Sequence, residues 1–371
     1  MFLRLTFLLM LITTLGAAQN INLLVGTYTG SGSKGIYVFK FNTATGKATL
    51  INSTDSAANP SYLALSSNQK FLYAVSETDG RKNASVSAYS FNAATGRLTF
   101  VNNEPTGGDN PCFVAVHKSD KWVTAANYSG GSASVFAINE NGSLKPRSQL
   151  VQHSGSSANT SRQEKAHVHQ TLFSPDHNFL FTPDLGTDKL MVYKFNSNAQ
   201  RPLSPATPAF TATEPGSGPR HMTFHPNQRF AYVIEELSGM VSAFRYNNGK
   251  LTSIQRLSSH PAEYKGSIGS ADIHVSPDGK FLYASNRGDA NSIAVFEINP
   301  STGRLILRDI TSTGGKAPRN FAIEPSGKFL LVANQNTNNI VVFRRDKQTG
   351  LLTPTGEQLE VPKPVCLVFA K

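Results

Sequence analysis

The stretch SADIHVSPDGKFLYASNRGDANSIAVFEINPSTGRL, residues 270–305, decides the fold. A short apolar pattern ends at the turn Ser276-Pro277-Asp278-Gly279, and an aromatic-led run, Phe281 to Ser285, comes back. A further β pattern, SIAVFEI from Ser292, leads into the polar turn Asn299 to Gly303 and a last strand. Runs this short, rich in β-branched and aromatic residues and bounded by Pro, Asp, Asn and Gly, read as strands. No 3.6-residue period competes with them.

The same unit recurs along the chain. SPDGKFLY at Ser276 has relatives in SPDHNFLF at Ser174, HPNQRFAY at His225 and EPSGKFLL at Glu324, and looser ones in SSNQKFLY at Ser66 and HKSDKWVT at His117. The proline-like positions are 67, 118, 175, 226, 277 and 325, so successive spacings are 51, 57, 51, 51 and 48. The second turn repeats as well, in NTATGKA at Asn42 and NAATGRL at Asn92. About four strands recurring near fifty residues is the pattern of a β-propeller blade. The termini complete the count. PVCLVFA at Pro364 reads as an inner strand with no return, and INLLVGTYTG at Ile21 as a return strand with no partner before it. Joined, they give a seventh blade. The expected architecture is therefore all-β, a seven-bladed propeller of four-stranded antiparallel blades, with the C-terminal strand closing the ring against the N-terminal blade. Closure hides sheet edges, and it makes residues 19–371 one domain.

The first eighteen residues differ from the rest. Met1 to Arg4 is a short basic start, Leu5 to Leu15 is almost wholly apolar, and Gly16-Ala17-Ala18 supplies small residues for cleavage. This reads as a secretory signal peptide at 1–18, too short in its apolar part to span a membrane. The mature protein is then expected to begin near Gln19, in the periplasm or outside the cell. The net charge of +11 comes from scattered Lys and Arg, with no dense basic run or interleaved aromatic patch. Nucleic acid is therefore not an expected partner. Cys112 and Cys366 are the two cysteines, and spacing alone leaves their pairing open.

Comparing equivalent positions separates scaffold from site. The residue opening each return strand is constant in kind: Phe71, Trp122, Phe179, Phe230, Phe281 and Phe329. Six residues before the proline-like position stand Ser61, Cys112, His169, Arg220, Ala271 and Arg319. Six residues after the aromatic stand Glu77, Tyr128, Leu185, Glu236, Arg287 and Gln335. These two sets vary and are largely polar, so the scaffold does not dictate them. In an antiparallel hairpin both lie at the end away from the Pro-Asp-Gly turn. On innermost strands they would ring one mouth of the central channel, where His169, Arg220, Glu236 and Arg287 could meet on one small ligand. A plain Arg220–Glu236 ion pair across one hairpin is the alternative.

Other motifs carry less. His167 and His169 in AHVHQ share a face if the segment is a strand, and could pair on a metal with His221 or His274. No carboxylate completes that set and Arg220 would repel a cation, so no metal is expected. Asp272 aligns with His221, Gln170 and Asn320, as a strand-to-strand hydrogen-bond anchor or a ligand contact. GSGP at Gly216 opens no helix and is no phosphate cradle, and no serine has a nucleophile-elbow context.

HVHQTLFSPDHNFLFTPDLGTDKLMVY, GPRHMTFHPNQRFAYVIEEL, SADIHVSPDGKFLYASNRG and APRNFAIEPSGKFLLVANQ together resemble the seven-bladed propeller lactonases. These are the 6-phosphogluconolactonases of the bacterial propeller type, with the related fungal carboxy-cis,cis-muconate cyclases. The resemblance runs from about Leu24 to Phe369. It implies hydrolysis of a sugar lactone without a cofactor, by a His, two Arg and a Glu at the channel mouth. Carried over by motif, these are His167 and His169, Arg220, Glu236 and Arg287. In the mechanism expected from them, Glu236 is general base on water. Arg220 and Arg287 hold the oxyanion and an anionic group, and His169, oriented by His167, protonates the ring oxygen. Arg319, His221, Asp272, Gln335 and Asn286 are the expected substrate contacts, and a monomer acting on a small lactone or sugar acid is the expected working form. A cycloisomerase acting on a dicarboxylate, and a propeller that binds without catalysis, are the alternatives. Two features depart from the family pattern. The family has Asn-Glu-Leu where this chain has Glu235-Glu236-Leu237, which would add a negative charge at the site. An export signal also sits apart from sugar-phosphate metabolism, which is cytosolic.

Overall fold

Each blade buries both faces of its sheet against its neighbours, so its second strand is buried throughout and mostly apolar instead of alternating. Phe230–Glu235, Phe281–Asn286 and Phe329–Asn334 are buried at every residue. The fourth strands, such as Leu305–Ser312, sit on the outer rim and are largely exposed. In this computed structural model the described residues are 20–370 except 31, 55, 56, 81 and 82. The signal peptide read at 1–18, and the start near Gln19, lie outside them. Among the described residues no helix is long and apolar enough to cross a membrane.

Seven four-stranded antiparallel sheets form the ring. Blades 2 to 7 begin with the inner strands Leu63–Leu65, Pro111–Val116, Leu172–Phe173, Pro219–Phe224, Ser270–Val275 and Pro318–Ile323. Blade 1 takes its inner strand from the other end of the chain. Pro364–Ala370 pairs with Asn20–Thr27, with Leu23 opposite Phe369 and Val25 opposite Leu367. The apolar cluster that seals this junction joins Leu23, Val25 and Phe41 of blade 1 to Phe329, Leu331 and Ala333 of blade 7.

The repeated aromatic and the repeated turn glycine are two halves of one contact. Phe230 of blade 5 packs against Gly303 of blade 6, Phe281 of blade 6 against Gly350 of blade 7, and Phe329 of blade 7 against Gly46 of blade 1. A Cβ on Gly303 would stand 2.4 Å from the Phe230 ring, and the glycine has φ of +74°. Beside this contact, the Tyr232 hydroxyl donates to the Gly303 carbonyl at 3.1 Å, and Tyr283 donates to Gly350 at 2.7 Å. The motif thus recurs where one blade seats its aromatic on the outer turn of the next.

Gly303→Ala combines left-handed backbone strain with a clash against a buried ring, and is expected to cost about 2–4 kcal/mol. Gly356 also has positive φ but meets nothing within 4 Å, so Gly356→Ala isolates the strain. Urea midpoints of the two variants should differ, with Gly303→Ala the lower.

Candidate active site at the channel mouth

Inner strands are not regular where they reach the mouth. Pro219 pairs with Glu235 and His221 with Ile234, which leaves Arg220 bulged out of the ladder. Cys112 is skipped in the same way between Pro111 and Phe113, and Arg319 between Pro318 and Asn320. In blade 6, Ala271 and Asp272 fall between the paired Ser270 and Ile273. A bulge breaks the two-residue alternation and re-aims a side chain. This is why the variable position six residues before the turn faces the axis.

These side chains wall a cavity of about 290 Å³ to which every blade contributes: Tyr28, Glu77, Cys112 with Tyr128, His169, Glu236, Arg287 and Arg319, in ring order. Arg162, from the connection between blades 3 and 4, covers one side. Glu236 is the electrostatic hub. Its Oε2 lies 3.0 Å from Arg220 Nε and 3.0 Å from Arg287 Nη2, and its Oε1 accepts from Arg162 Nη2 at 2.7 Å. Burial pushes the Glu236 carboxyl up, but Arg287, Arg220 and Arg162 outweigh it and bring its pKa down to about 2. Arg220, 1% exposed, does not itself line the cavity; it is buried against Glu236 and donates from Nη1 to the Ala271 carbonyl at 2.5 Å. Burial, with Arg287 and Arg319 nearby, pulls its pKa down to about 10, so it stays charged at neutral pH. Across the cavity, the Tyr28 hydroxyl donates to Glu77 at 3.0 and 2.9 Å, and Arg319 Nη2 stands 3.8 Å from Glu77 Oε1. The Arg319 guanidinium also lies over the Tyr28 ring, 5.4 Å from its centroid. The site thus sets four guanidiniums, those of Arg162, Arg220, Arg287 and Arg319, against two carboxylates.

His169 and Gln335 also reach this region, Gln335 at the outer rim of the mouth. His169 is neutral, because burial and then Arg220 and His221 hold its pKa well below the ordinary histidine value. His167 goes elsewhere. Val168 between them makes an antiparallel bridge with Asp184, and both imidazole rings meet Tyr128, that of His169 at a centroid distance of 5.3 Å, but of the two only His169 lines the cavity. His167 stacks on Tyr128, and its ring nitrogens meet the Tyr128 carbonyl and Glu164, both at 3.1 Å. His221 and Asp272 lie behind the wall, not on it. Asp272 is buried between His221 Nδ1 at 2.8 Å, His274 Nε2 at 2.9 Å and Asn320 Nδ2 at 2.5 Å, tying three blades together. Asn286 is likewise taken up inside its blade, accepting from the Ser259 and Ser270 hydroxyls. Strand alternation turns it away from the axis that the next residue, Arg287, faces.

One further expectation changes, and one open question closes. Glu235 adds no charge to the cavity, because it points to the opposite face and is held by Arg256 at 2.7 Å and by Ser238 and Ser242. Cys112 and Cys366 are separate buried thiols. The sequence comparison passes over Arg162, which lies outside the repeat, and Tyr28, which follows the blade 1 return strand as Glu236 follows that of blade 5: Tyr28 N donates to the Lys363 carbonyl and Glu236 N to the Gly218 carbonyl. One signal for Arg162 is present: it falls within the single long spacing of 57 residues, where the repeat is interrupted.

The family model described as "Lactonase, 7-bladed beta-propeller" matches residues 22–369. A 6-phosphogluconolactonase of Formosa agariphila is 42% identical over 339 residues, 91% of this chain and 96% of the relative. A 6-phosphogluconolactonase of Bacillus subtilis is 39% identical over 347 residues, 93% and 97% of the two chains. The solved structure of a periplasmic gluconolactonase from Pseudomonas aeruginosa superposes with a TM-score of 0.90 at 39% identity, covering 95% of this chain and 99% of its own.

The depressed Glu236 pKa has a signed consequence. The stability that it supplies is complete above an ordinary carboxylate pKa of about 4.3 and is lost as pH falls through about 2. Glu236→Gln leaves the buried guanidiniums without their counter-charge, so at neutral pH it is expected to cost about 3–5 kcal/mol. Urea denaturation followed from neutral to acid pH should show the wild type losing its advantage over Glu236→Gln across that window.

Proposed function

The chain belongs to the seven-bladed β-propeller lactonases, and on that premise we propose that it opens the ring of a sugar lactone in the Glu236-centred cavity. The observation that supports this most is the charge balance: three guanidiniums and two carboxylates line about 290 Å³, and a fourth guanidinium, that of Arg220, is buried against Glu236. Such a surplus in a partly desolvated space favours a ligand that is anionic, or that becomes anionic in the transition state. Ester hydrolysis does the latter, since attack on the carbonyl carbon creates an oxyanion.

Roles follow from the surroundings of each group. Arg287 and Arg319 carry the exposed guanidinium faces of the wall and receive the oxyanion and any carboxylate or phosphate on the substrate. Arg220, sealed beneath them, adds a fixed positive field. A carboxylate with a pKa near 2 is a weak proton acceptor, so Glu236 serves mainly to hold the guanidiniums in register, not to take the proton first expected of it. Neutral His169 is a hydrogen-bond donor or acceptor and not a strong acid, in the manner of a neutral imidazole that polarises a carbonyl. We read residues 1–18 as an export signal, in keeping with the periplasmic relative.

Proton release should reveal ring opening of glucono-δ-lactone and its 6-phosphate well above the spontaneous rate. The 6-phosphate should have the lower KM, by about tenfold, as one added charge-assisted contact provides. Arg319→Gln should narrow that ratio. Equal KM values for both lactones in the wild type would remove the anion-binding role.

A further inference from the structure

The arginines leave the proposed reaction without an obvious base. Among the cavity groups, Tyr28 and Tyr128 are held as neutral phenols, each pushed up first by burial. Burial likewise keeps Cys112 a thiol, with Sγ 3.4 Å from the His169 carbonyl and 3.8 Å from that of Val168. Both oxygens of Glu236 are occupied by guanidiniums, within 2.7–3.0 Å.

Glu77 on the opposite wall is the other carboxylate, and its surroundings differ. Among the described residues, the guanidinium beside it is that of Arg319, at 3.8 Å, too long for a hydrogen bond. Its side-chain hydrogen bonds among those residues come from the Tyr28 hydroxyl, shared between the two oxygens at 3.0 and 2.9 Å. Each carboxylate oxygen can accept two hydrogen bonds, so both keep room for a water. The side chain is 15% exposed, and it lines the same cavity as Arg287 and Arg319. Its backbone is fixed independently: Glu77 N donates to the Asn59 carbonyl at 3.1 Å, and Asn59 Nδ2 donates to the Glu77 carbonyl at 3.1 Å.

We propose that Glu77 is the general base of this site, taking the proton from the attacking water, with Tyr28 as its positioning residue. This rests on the lactonase reading above. The water oxygen bonds to the lactone carbonyl carbon as its proton passes to the Glu77 carboxylate, and the oxyanion forms against the guanidiniums. Collapse breaks the bond from the carbonyl carbon to the ring oxygen. That oxygen leaves as an alkoxide and takes the proton back from the Glu77 carboxylic acid. One water is consumed, one hydroxy acid forms, and no electrons are exchanged with any other reagent.

The test compares Glu77→Ala, Glu77→Gln, Glu236→Ala and Tyr28→Phe with the wild type, on glucono-δ-lactone and its 6-phosphate. Melting curves and near-UV circular dichroism establish which variants are folded. Glu77→Gln should lower kcat by about 10²-fold or more with KM within about threefold, the signature of a lost base. Added formate should restore part of the Glu77→Ala rate and none of the Glu236→Ala rate. Tyr28→Phe should shift the acid limb of the kcat/KM profile, which a purely structural contact would leave in place. Full activity in Glu77→Gln, formate rescue of Glu236→Ala alone, or rescue of neither would overturn the assignment. A wild type that opens neither lactone would instead remove the reading on which it rests.

Discussion

A guanidinium with almost no contact with water needs a fixed counter-charge, and in this fold Glu236 supplies it to Arg220. Removing either partner strands the other in a low-dielectric interior, which costs several kcal/mol. That dependence fixes much else. Arg220 is the bulged residue of the blade 5 inner strand, and Glu236 follows directly on the return strand Phe230–Glu235. The pair therefore forms only if the hairpin keeps its register. With Glu236 so held, its second interaction with Arg287 ties blade 5 to blade 6, and its third with Arg162 ties in the connection between blades 3 and 4. One carboxylate organises three cationic side chains from three separate parts of the chain.

The sequence made the ring legible because its determinants are local and recurrent. An aromatic opening the return strand and a glycine in the outer turn recur because at five of the blade junctions the aromatic seats on its neighbour's glycine: Phe71 on Gly142, Phe179 on Gly249, Phe230 on Gly303, Phe281 on Gly350 and Phe329 on Gly46. Recurrence also made the mouth readable by contrast, as the place where equivalent residues stop matching. That argument reaches Arg220, Glu236, Arg287 and Arg319, which do converge, yet it does not tell which way a side chain turns. Asn286 and Arg287 are adjacent, and one is sealed inside its blade while the other faces the cavity. His167 shows the same limit: its ring meets Tyr128 as the His169 ring does, yet of the two only His169 lines the cavity. Arg162 was invisible because recurrence can say nothing about an insertion.

Glu77 and Glu236 show how one residue type acquires two characters within one cavity. They occupy the same repeat position in blades 2 and 5. Glu236 has inner-strand arginine beneath it and guanidiniums on both flanks, while Glu77 has a phenol and a more distant arginine. A carboxylate saturated by cations is a structural anion, and one left partly open keeps room to accept a further hydrogen bond.

The insertion that delivers Arg162 is built as carefully as the blades. Buried His153, at its start, places Nδ1 2.9 Å from Asp184 and Nε2 2.9 Å from the Tyr193 hydroxyl. Ser157 donates to Asp188 at 2.5 Å, and Gln163 Nε2 donates to the Leu185 carbonyl at 2.8 Å. These contacts all reach into blade 4, so the segment is pinned on both sides of Arg162 while the Arg162 side chain itself stays 44% exposed. The free sheet edges of the ring are the outer strands, far from the axis, so an insertion that reaches the mouth enters between strands on that face. Placed on the mouth face, six extra residues change the charge of the cavity without altering a single blade contact. This is the physical route by which one propeller scaffold can present different ligand pockets: the blades fix the radius at which inner-strand ends meet, and the connections decide what covers them.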